Sequence, residues 1–313
     1  MDLLADVLHQ SGLQRRILNQ RVFDVPTALA FPCDKSFGFH VVTQGEAYIH
    51  TPEHDAPIAL RKGDVAMMAR GCDHVVSTSA AVPKHIVQMA DAAALARAPD
   101  AAGAPLLALV SGAYQVWNTP VHPFFAELPR WYVLRADEME RFDQVELAID
   151  MLAAETARPE VGSDTVTQSL LDIIFTQLIR KIIAQRHATP QTWSHALQNA
   201  QIKSALELMH GDCAYEWTLD ELARRVGLSR AGFAQKFKTS LGAPPLHYLT
   251  TLRVQKAMEL LARTDDKIEA VSFAVGYKDP FSFSKVFKKL TGMPPKEFRL
   301  RDRRDKTSAW RFQ

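Results

Sequence analysis

Residues 222–245 read L-A-R-R-V-G-L-S-R-A-G-F-A-Q-K-F-K-T-S-L-G-A-P-P, and residues 271–295 read V-S-F-A-V-G-Y-K-D-P-F-S-F-S-K-V-F-K-K-L-T-G-M-P-P. Each stretch carries V-G, then F-x-x-x-F-K, then G-x-P-P. Phe233, Phe237, Lys238, Gly242, Pro244 and Pro245 are answered by Phe283, Phe287, Lys288, Gly292, Pro294 and Pro295. The turn after the V-G glycine differs by one residue, so the likeness is one of pattern. A pattern repeated in this way describes two small units that bury their apolar faces against shared neighbours.

Each copy reads as helix, turn, helix. Thr218 stands three residues before Glu221, the spacing of a capping box. Leu219, Leu222, Ala223 and Val226 follow at helical intervals and make one apolar face. Gly227 comes next, where a left-handed C-cap favours a residue without a Cβ. Ser229 caps the second helix, Phe233 and Phe237 lie four apart on its inner face, and Gly242 with Pro244-Pro245 ends it. In the second copy Val271, Ser272 and Val275 supply the face and Gly276 the stop. Asp279 supplies the cap, and Pro280 takes the first helical position. The small residues Ala223 and Ser272 allow two helices to approach closely at the turn.

The positions not committed to the Phe core are Arg230, Ala231, Ala234, Gln235 and Lys238 on the first such helix. On the second they are Phe281, Ser282, Ser284, Lys285, Lys288 and Lys289. Lys and Gln can bond base edges, Arg and Lys can hold phosphates, and Ala or Phe can meet a thymine methyl. Two cationic outer faces in register point to double-stranded DNA. Residues 250–263 place Leu252, Met258, Leu261 and Ala262 among long polar side chains, a helix able to hold the two units apart. Two reading helices held so enter successive major grooves roughly 34 Å apart.

The doubled motif, with V-G-[LY], F-x-x-x-F-K, a long linking helix and G-x-P-P-x-x-[FY] closing each half, resembles the AraC/XylS family of bacterial transcription regulators over about residues 196–300. The resemblance implies DNA reading by Ala231, Ala234 and Gln235 in the first motif and by Phe281, Ser282 and Lys285 in the second. It also implies a homodimer, a small-molecule effector, an activator role, RNA polymerase as a partner, and no enzymatic activity.

The chain has 313 residues, more than one domain usually holds, and 47% of them are hydrophobic, enough for buried cores. Its net charge of +2 conceals an asymmetry. Residues 196–313 carry 21 Lys+Arg against 13 Asp+Glu, whereas the rest carry 16 against 22. A basic third joined to an acidic remainder fits one DNA-binding domain and one of another kind. The run R-L-R-D-R-R-D-K-T-S-A-W-R reads as a frayed, solvated basic end. No apolar run reaches the length of a membrane span, and M-D-L-L-A-D-V-L lacks the basic head of a secretory leader. Three unpatterned cysteines, Cys33, Cys72 and Cys213, agree with reduced thiols in a cytoplasmic protein.

Between residues 20 and 90 the period changes. Short apolar or alternating runs occur at Val22–Phe31, Gly38–Val42, Ala47–His50, Ile58–Leu60, Val65–Met68 and His74–Ser77, punctuated by T-Q-G-E, T-P-E-H-D-A-P, R-K-G-D and A-R-G-C-D. Such spacing predicts a β-barrel or sandwich. The order F-H-V-V-T-Q-G-E-A, L-R-K-G-D-V-A-M-M, G-C-D-H resembles a cupin half-motif, with Gly45 and Gly63 at tight turns and His74 pointing inward. A second, weaker likeness lies in L-V-S-G-A-Y and H-P-F-F-A-E-L-P. The cupin resemblance covers roughly residues 5–135 and implies an effector pocket around His40, Val42, Met67, His74 and Trp117.

Enzymatic cupins surround a metal with His-x-His, a Glu and a later His. Here Gly38 and Val42 flank His40 two places away, so the pair is broken, and Glu46 is off the ligand spacing. His40 and His74, with His85 or Cys33, remain the candidate metal ligands, and no cofactor is assigned. A metal-dependent cupin enzyme with a helical appendage is the rival reading. A regulator sensing oxidants through Cys33 and Cys72 is another.

Residues 136–187 return to helical spacing, with Met139, Phe142, Val145, Ile149 and Leu152, then Leu170, Ile173, Ile174, Leu178 and Ile182. The second run is more apolar than one core face requires, which points to a dimerisation hairpin. Residues 184–198 lose the periodicity around Pro190 and read as a linker. The expectation is therefore an α+β chain. It comprises a cupin-like β-barrel sensor at 1–135, a helical hairpin at 136–187, a linker at 188–198, an all-α double helix-turn-helix at 199–300 and a basic tail at 301–313.

Overall fold

The computed structural model describes residues 2–10, 16–31, 36–69, 71–82, 87–89, 105–115, 124–125, 128–140, 143–158, 160–185 and 196–307. Cys33, His85, Trp117, Phe142 and Pro190, singled out above, lie outside them. The protein is α+β. Two compact units are present: one gathers the strands and the two helices after them, and the other gathers the C-terminal helices with the N-terminal one.

In the first unit the strands are β1 (Arg16–Phe23), β2 (Ala28–Phe31), β3 (Ser36–His50), β4 (Ile58–Arg61), β5 (Val65–Met68), β6 (His74–Ser77), β7 (Val87–Met89), β8 (Leu107–Gln115) and β9 (Trp131–Leu134). They form one curled, half-barrel sheet ordered β1-β8-β3-β6-β2-β7, with β4 and β5 on β3 and β9 on β5. The single run read at Val22–Phe31 is broken over residues 24–27 into β1 and β2.

Gly63 does sit in a tight turn, with φ 87° between β4 and β5. Gly45 does not, and this corrects the expectation. The two short runs at Gly38–Val42 and Ala47–His50 are one fifteen-residue strand, β3. Its pairing slips between Val42 and Gln44, and Gly45 has φ 77°. A bulge with a left-handed glycine bends a strand without ending it. Up to Gly45, β3 pairs with β5 and β8; beyond it, with β4 and β6. A Cβ at Gly45 would lie 1.9 Å from the Leu106 carbonyl oxygen, so only glycine fits.

Two helices close the unit, α2 (Gln144–Ala157) and α3 (Ser163–Gln185). Asp143 caps α2 by accepting from the Val145 N–H at 2.8 Å and ties α3 through Lys181 at 2.5 Å. Much of the apolar content of α3 is buried: Leu170, Leu171, Ile174, Phe175, Leu178, Ile179 and Ile182 are all enclosed, and two of them meet the sheet. Leu171 presses on Gly112 of β8, where a Cβ would stand 2.7 Å from its methyl. Phe175 packs on Tyr114 at 4.4 Å, and the Tyr114 hydroxyl donates to Asp172 at 2.9 Å.

The second unit contains α1 (Leu3–Gln10), α4 (Ala200–Gly211), α5 (Leu219–Arg225), α6 (Arg230–Leu241), α7 (Pro245–Arg263), α8 (Ile268–Ala274), α9 (Pro280–Thr291) and α10 (Pro295–Thr307). Leu3 and Val7 of α1 are buried, and the Asp6 carboxylate meets His210 of α4, whose other ring nitrogen lies 2.8 Å from the Tyr248 hydroxyl. The linking helix α7 starts at Pro245, five residues before the expected run. Each Pro-Pro pair therefore ends one helix and, through its second proline, opens the next. The terminal helix continues to Thr307, where a frayed end was read. Arg303 meets Asp265, and Arg299 donates to the Asp266 carbonyl, so the chain there is tied down.

Both motifs are built on the same phenylalanines. Phe233, Phe237, Phe283 and Phe287 are all completely buried. Large-to-small changes at such sites cost about 3–5 kcal/mol, whereas exposed positions stay within about 0.5. Phe287→Ala is therefore expected to lower the stability of the C-terminal unit by about 3–5 kcal/mol in denaturant unfolding. Phe281→Ala, on the same helix but 80% exposed, leaves it within about 0.5 kcal/mol.

Candidate DNA-binding face and effector site

The caps read from the sequence position both outer helices. The Thr218 hydroxyl accepts from the Glu221 N–H at 3.1 Å. The reciprocal half of the box is replaced: the Glu221 carboxylate accepts from Tyr215 and from Arg225. Ser229 accepts from the Gly232 N–H at 3.2 Å. Asp279 accepts from the N–H groups of Phe281 and Ser282 at 3.1 and 2.8 Å. The Ser282 hydroxyl and these N–H groups hold its carboxyl below the usual range. Gly242 and Gly292 close the helices in the left-handed conformation.

α6 and α9 consequently present the same exposure pattern, position for position, from Ala231 and Phe281 onward. Arg230, Ala231, Gln235 and Lys238 are exposed, as are Phe281, Ser282, Lys285 and Lys288; Ala234 and Ser284 are half-buried. Arg230 is paired with Asp220 at 3.2 Å. Lys238, Lys285, Lys288 and Lys289 make no ion pair or hydrogen bond among the described residues. The motifs are also braced against each other. The Arg253 guanidinium of α7 donates to the carbonyls of Cys213 and Tyr215. Gly276, with φ 83°, lets the second turn approach so closely that a Cβ would stand 2.3 Å from the Ala214 oxygen.

The half-barrel has its own polar cluster. His40 of β3 and His74 of β6 bring their Nε2 atoms within 2.8 Å, His40 Nδ1 lies 2.8 Å from the Ser111 hydroxyl of β8, and His74 Nδ1 lies 3.0 Å from the Cys72 carbonyl. A carbonyl only accepts, so His74 Nδ1 carries the proton and its Nε2 accepts. His40 Nε2 must then donate, which leaves His40 Nδ1 to accept from Ser111. Every link has one proton, and both rings are neutral. Burial pushes His74 down to about 4. Burial, with His74 and Arg21 beside it, holds His40 well below the usual histidine range.

The cluster is walled by rings. Phe31 stacks on His74 at 5.1 Å, Trp131 meets His74 edge-on at 5.0 Å, and the buried Arg21 guanidinium lies 5.1 Å from the Phe31 ring centre. The Trp131 indole Nε1 is buried with no acceptor among the described residues.

Of the expected pocket residues, His40, His74 and Val42 belong to this interior. Met67 does not face it. Met67 registers with Phe39 while Ala66 and Met68 register with His40 and Gly38, and successive strand residues point to opposite faces. Arg21, Phe31, Ser111 and Trp131 escaped the sequence reading. The signal available for Ser111 was one hydroxyl inside the apolar run L-V-S-G-A-Y. Glu46 lies on the outside, against Arg61 and Tyr48. Among the described residues no group of three His, Cys, Asp or Glu side chains is placed to hold a metal. The two described nitrogens are fewer than a cupin enzyme's ligand set, and the other candidate ligands, His85 and Cys33, lie outside the described residues. Cys72 is buried in the core cluster.

Comparison with known proteins agrees with both halves. A family model described as a cupin matches residues 2–184, and one described as a helix-turn-helix domain matches residues 222–301. The chain is similar to an AraC-like transcription regulator of Streptomyces lividans, 24% identical over 96% of this chain and 98% of that one. It is also similar to the RCS-specific HTH-type transcriptional activator RclR of Escherichia coli, 26% identical over 85% of this chain and 84% of that one. A solved AraC-type transcriptional regulator from Chromobacterium violaceum is 28% identical and covers 34% of this chain and 96% of its own, with a TM-score of 0.33.

The chain belongs to the AraC/XylS family. It is a DNA-binding transcription regulator with a cupin-like N-terminal domain, and its relatives are regulators. No helix among the described residues is long and apolar enough to cross a membrane.

The regulator's neutral histidine pair makes its N-terminal unit sensitive to acid. An unfolded histidine titrates near 6.5 and the folded His74 near 4. Between those values the unfolded chain takes up protons that the folded chain refuses. Stability is thus full at neutral pH and falls as pH drops through this window. For His74 alone the loss is about 2 kcal/mol between pH 7 and pH 5. Denaturant unfolding of the first unit at the two pH values checks this, and a midpoint unmoved by the change refutes it. His40→Asn with His74→Gln is expected to flatten the dependence.

Proposed function

We propose that this chain is a cytoplasmic, homodimeric transcription regulator whose half-barrel binds a small-molecule effector and so alters how its two reading helices meet DNA. Residues 1–135 form the sensor, 136–187 the dimerisation hairpin, 188–198 the linker, 199–300 the reader, and 301–313 a basic tail. Arg230, Ala231, Ala234, Gln235 and Lys238 of α6 face the duplex, as do Phe281, Ser282, Lys285 and Lys288 of α9. The observation that carries this reading is the matched exposure of the two helices with their lysines uncommitted.

His40, Val42 and His74, with Trp131 and Ser111, form the effector site. A hydrogen-bond acceptor on the ligand satisfies the Trp131 indole N–H. The buried pair is read as part of that site and not as a catalytic metal centre. An effector that binds one arrangement of the dimer more tightly shifts its population, and the readers move with it. An activator that contacts RNA polymerase is favoured because a relative is named an activator.

The dimer reading rests on apolar side chains left exposed, Leu147 and Met151 of α2 and Val166 and Ile173 of α3. Leu147→Glu with Ile173→Glu is expected to convert a dimer to a monomer in sedimentation, with the monomer still folded by circular dichroism and its melting temperature lowered by the loss of the partner. A wild type that sediments as a monomer at tens of micromolar (about 50 μM) removes it, since an obligate interface would be filled there. The sensing reading is tested by a thermal-shift screen of small molecules followed by footprinting with each hit. Hits that stabilise the protein without ever changing protection of DNA dispose of it.

A further inference from the structure

Because α6 and α9 carry N-caps at matching positions, the same glycine C-caps, the same Phe anchors and the same exposure pattern, their outer side chains can be compared one for one. Ala231 faces Phe281, Gly232 faces Ser282, Gln235 faces Lys285, Lys238 faces Lys288, and Thr239 faces Lys289 in this alignment. The scaffolds are equal and the reading side chains are not.

The outer face of α6 is short and nearly neutral. Ala231 and Gly232 project no side chain past Cβ, and a Cβ added at Gly232 would meet only the Ser229 hydroxyl, at 3.0 Å. Arg230 is paired with Asp220, Gln235 leans on Thr239 at 3.5 Å, and Lys238 alone is an uncommitted cation. The outer face of α9 carries three uncommitted cations, Lys285, Lys288 and Lys289. Its one acid, the exposed Asp279, is engaged by the helix N–H groups. At its first turn stands Phe281, 80% exposed, a large apolar ring held in water beside Pro280 at a helix start capped by Asp279. Such a ring gains by burial, and in a major groove the apolar feature it meets is the thymine methyl.

Resting on the DNA-binding reading above, we infer that recognition is polarised: α9 supplies most of the affinity and selects a thymine through Phe281, while α6 is the subordinate reader. Each phosphate neutralised adds about 0.9 to the salt slope of binding, so the two faces differ by about two counterions. Burying one methyl is worth about 0.8 kcal/mol, or about fourfold in affinity.

The test uses the full chain and a library of random duplexes about 30 base pairs long, spanning three helical turns. Repeated selection is expected to return, within each half-site, one strongly constrained block containing a thymine and one weakly constrained block about one turn away. Replacing that thymine by deoxyuridine lowers wild-type affinity about fourfold. Phe281→Ala loses the distinction between the two bases, and Gln235→Ala alters only the weaker block. On an unselected random duplex, Lys285→Ala, Lys288→Ala and Lys289→Ala combined lower the salt slope by about 2.7, against about 0.9 for Lys238→Ala. All these positions are exposed, and unchanged melting confirms folding. Two equally constrained blocks, a strong block reshaped by Gln235→Ala, or a Phe281→Ala protein that still distinguishes thymine from deoxyuridine overturns the polarity and leaves DNA reading standing. Failure to enrich any sequence overturns sequence-specific reading itself, and the polarity with it.

Discussion

Four phenylalanines pressed toward one helix set the geometry on which the reading surface depends. Phe233 and Phe237 meet edge to face at 5.6 Å, and Phe237 continues onto Tyr248 of α7. In the second motif Tyr277, Phe283, Phe287 and Phe298 form the equivalent chain, gathered with Val254, Ala257, Met258 and Leu261 of α7 in a single core cluster. Ring pairs of this kind have definite mutual orientations, so they fix the roll of a helix as well as its distance. The roll decides which residues look outward. The solvent-facing lysines and the exposed Phe281 therefore owe their placement to four phenylalanines that are themselves completely buried.

The half-barrel solves a different problem, the burial of polar groups. Arg21, His40, His74 and Ser111 are all enclosed in a largely apolar interior. The histidines remain there because each proton in the chain from Ser111 through His40 and His74 to the Cys72 carbonyl has one donor and one acceptor. Adding a proton to His74 would set two N–H groups face to face at 2.8 Å, which explains physically why its neutrality is favoured beyond desolvation alone. The bulge at Gly45 belongs to the same arrangement. It carries β3 from the β5–β8 side to the β4–β6 side, so that a residue on β3 and one on β6 can meet.

The C-terminal half was legible because its information is local. Capping hydroxyls and carboxylates, glycines after the last apolar residue, Pro-Pro pairs and Phe pairs four apart each act over a single turn. What was misread there also has a local cause. The Glu221 carboxylate was drawn to Tyr215 and Arg225 instead of closing its box, and α10 ran on to Thr307 because Arg299 and Arg303 found partners near Asp265. The N-terminal half was legible as strands and less so as a site. Gly45 carries the same signal in a turn as in a bulge. Met67 and Met68 are indistinguishable in composition, and only the register opposite Phe39 and Gly38 assigns them to opposite faces.

From the chain alone came the repeat, the helix ends, the Phe core, the outward positions of α6 and α9, the strand content and the two histidines. These follow from short-range sterics and hydrogen bonding. The tertiary structure alone decided that His40 meets His74, that Ser111, Phe31, Trp131 and Arg21 surround them, and that most of the apolar face of α3 is buried. Strand side chains alternate with a period of two, so a single bulge or a one-residue slip exchanges inside for outside. Contacts between residues separated by tens of positions inherit that sensitivity, and no local pattern records it.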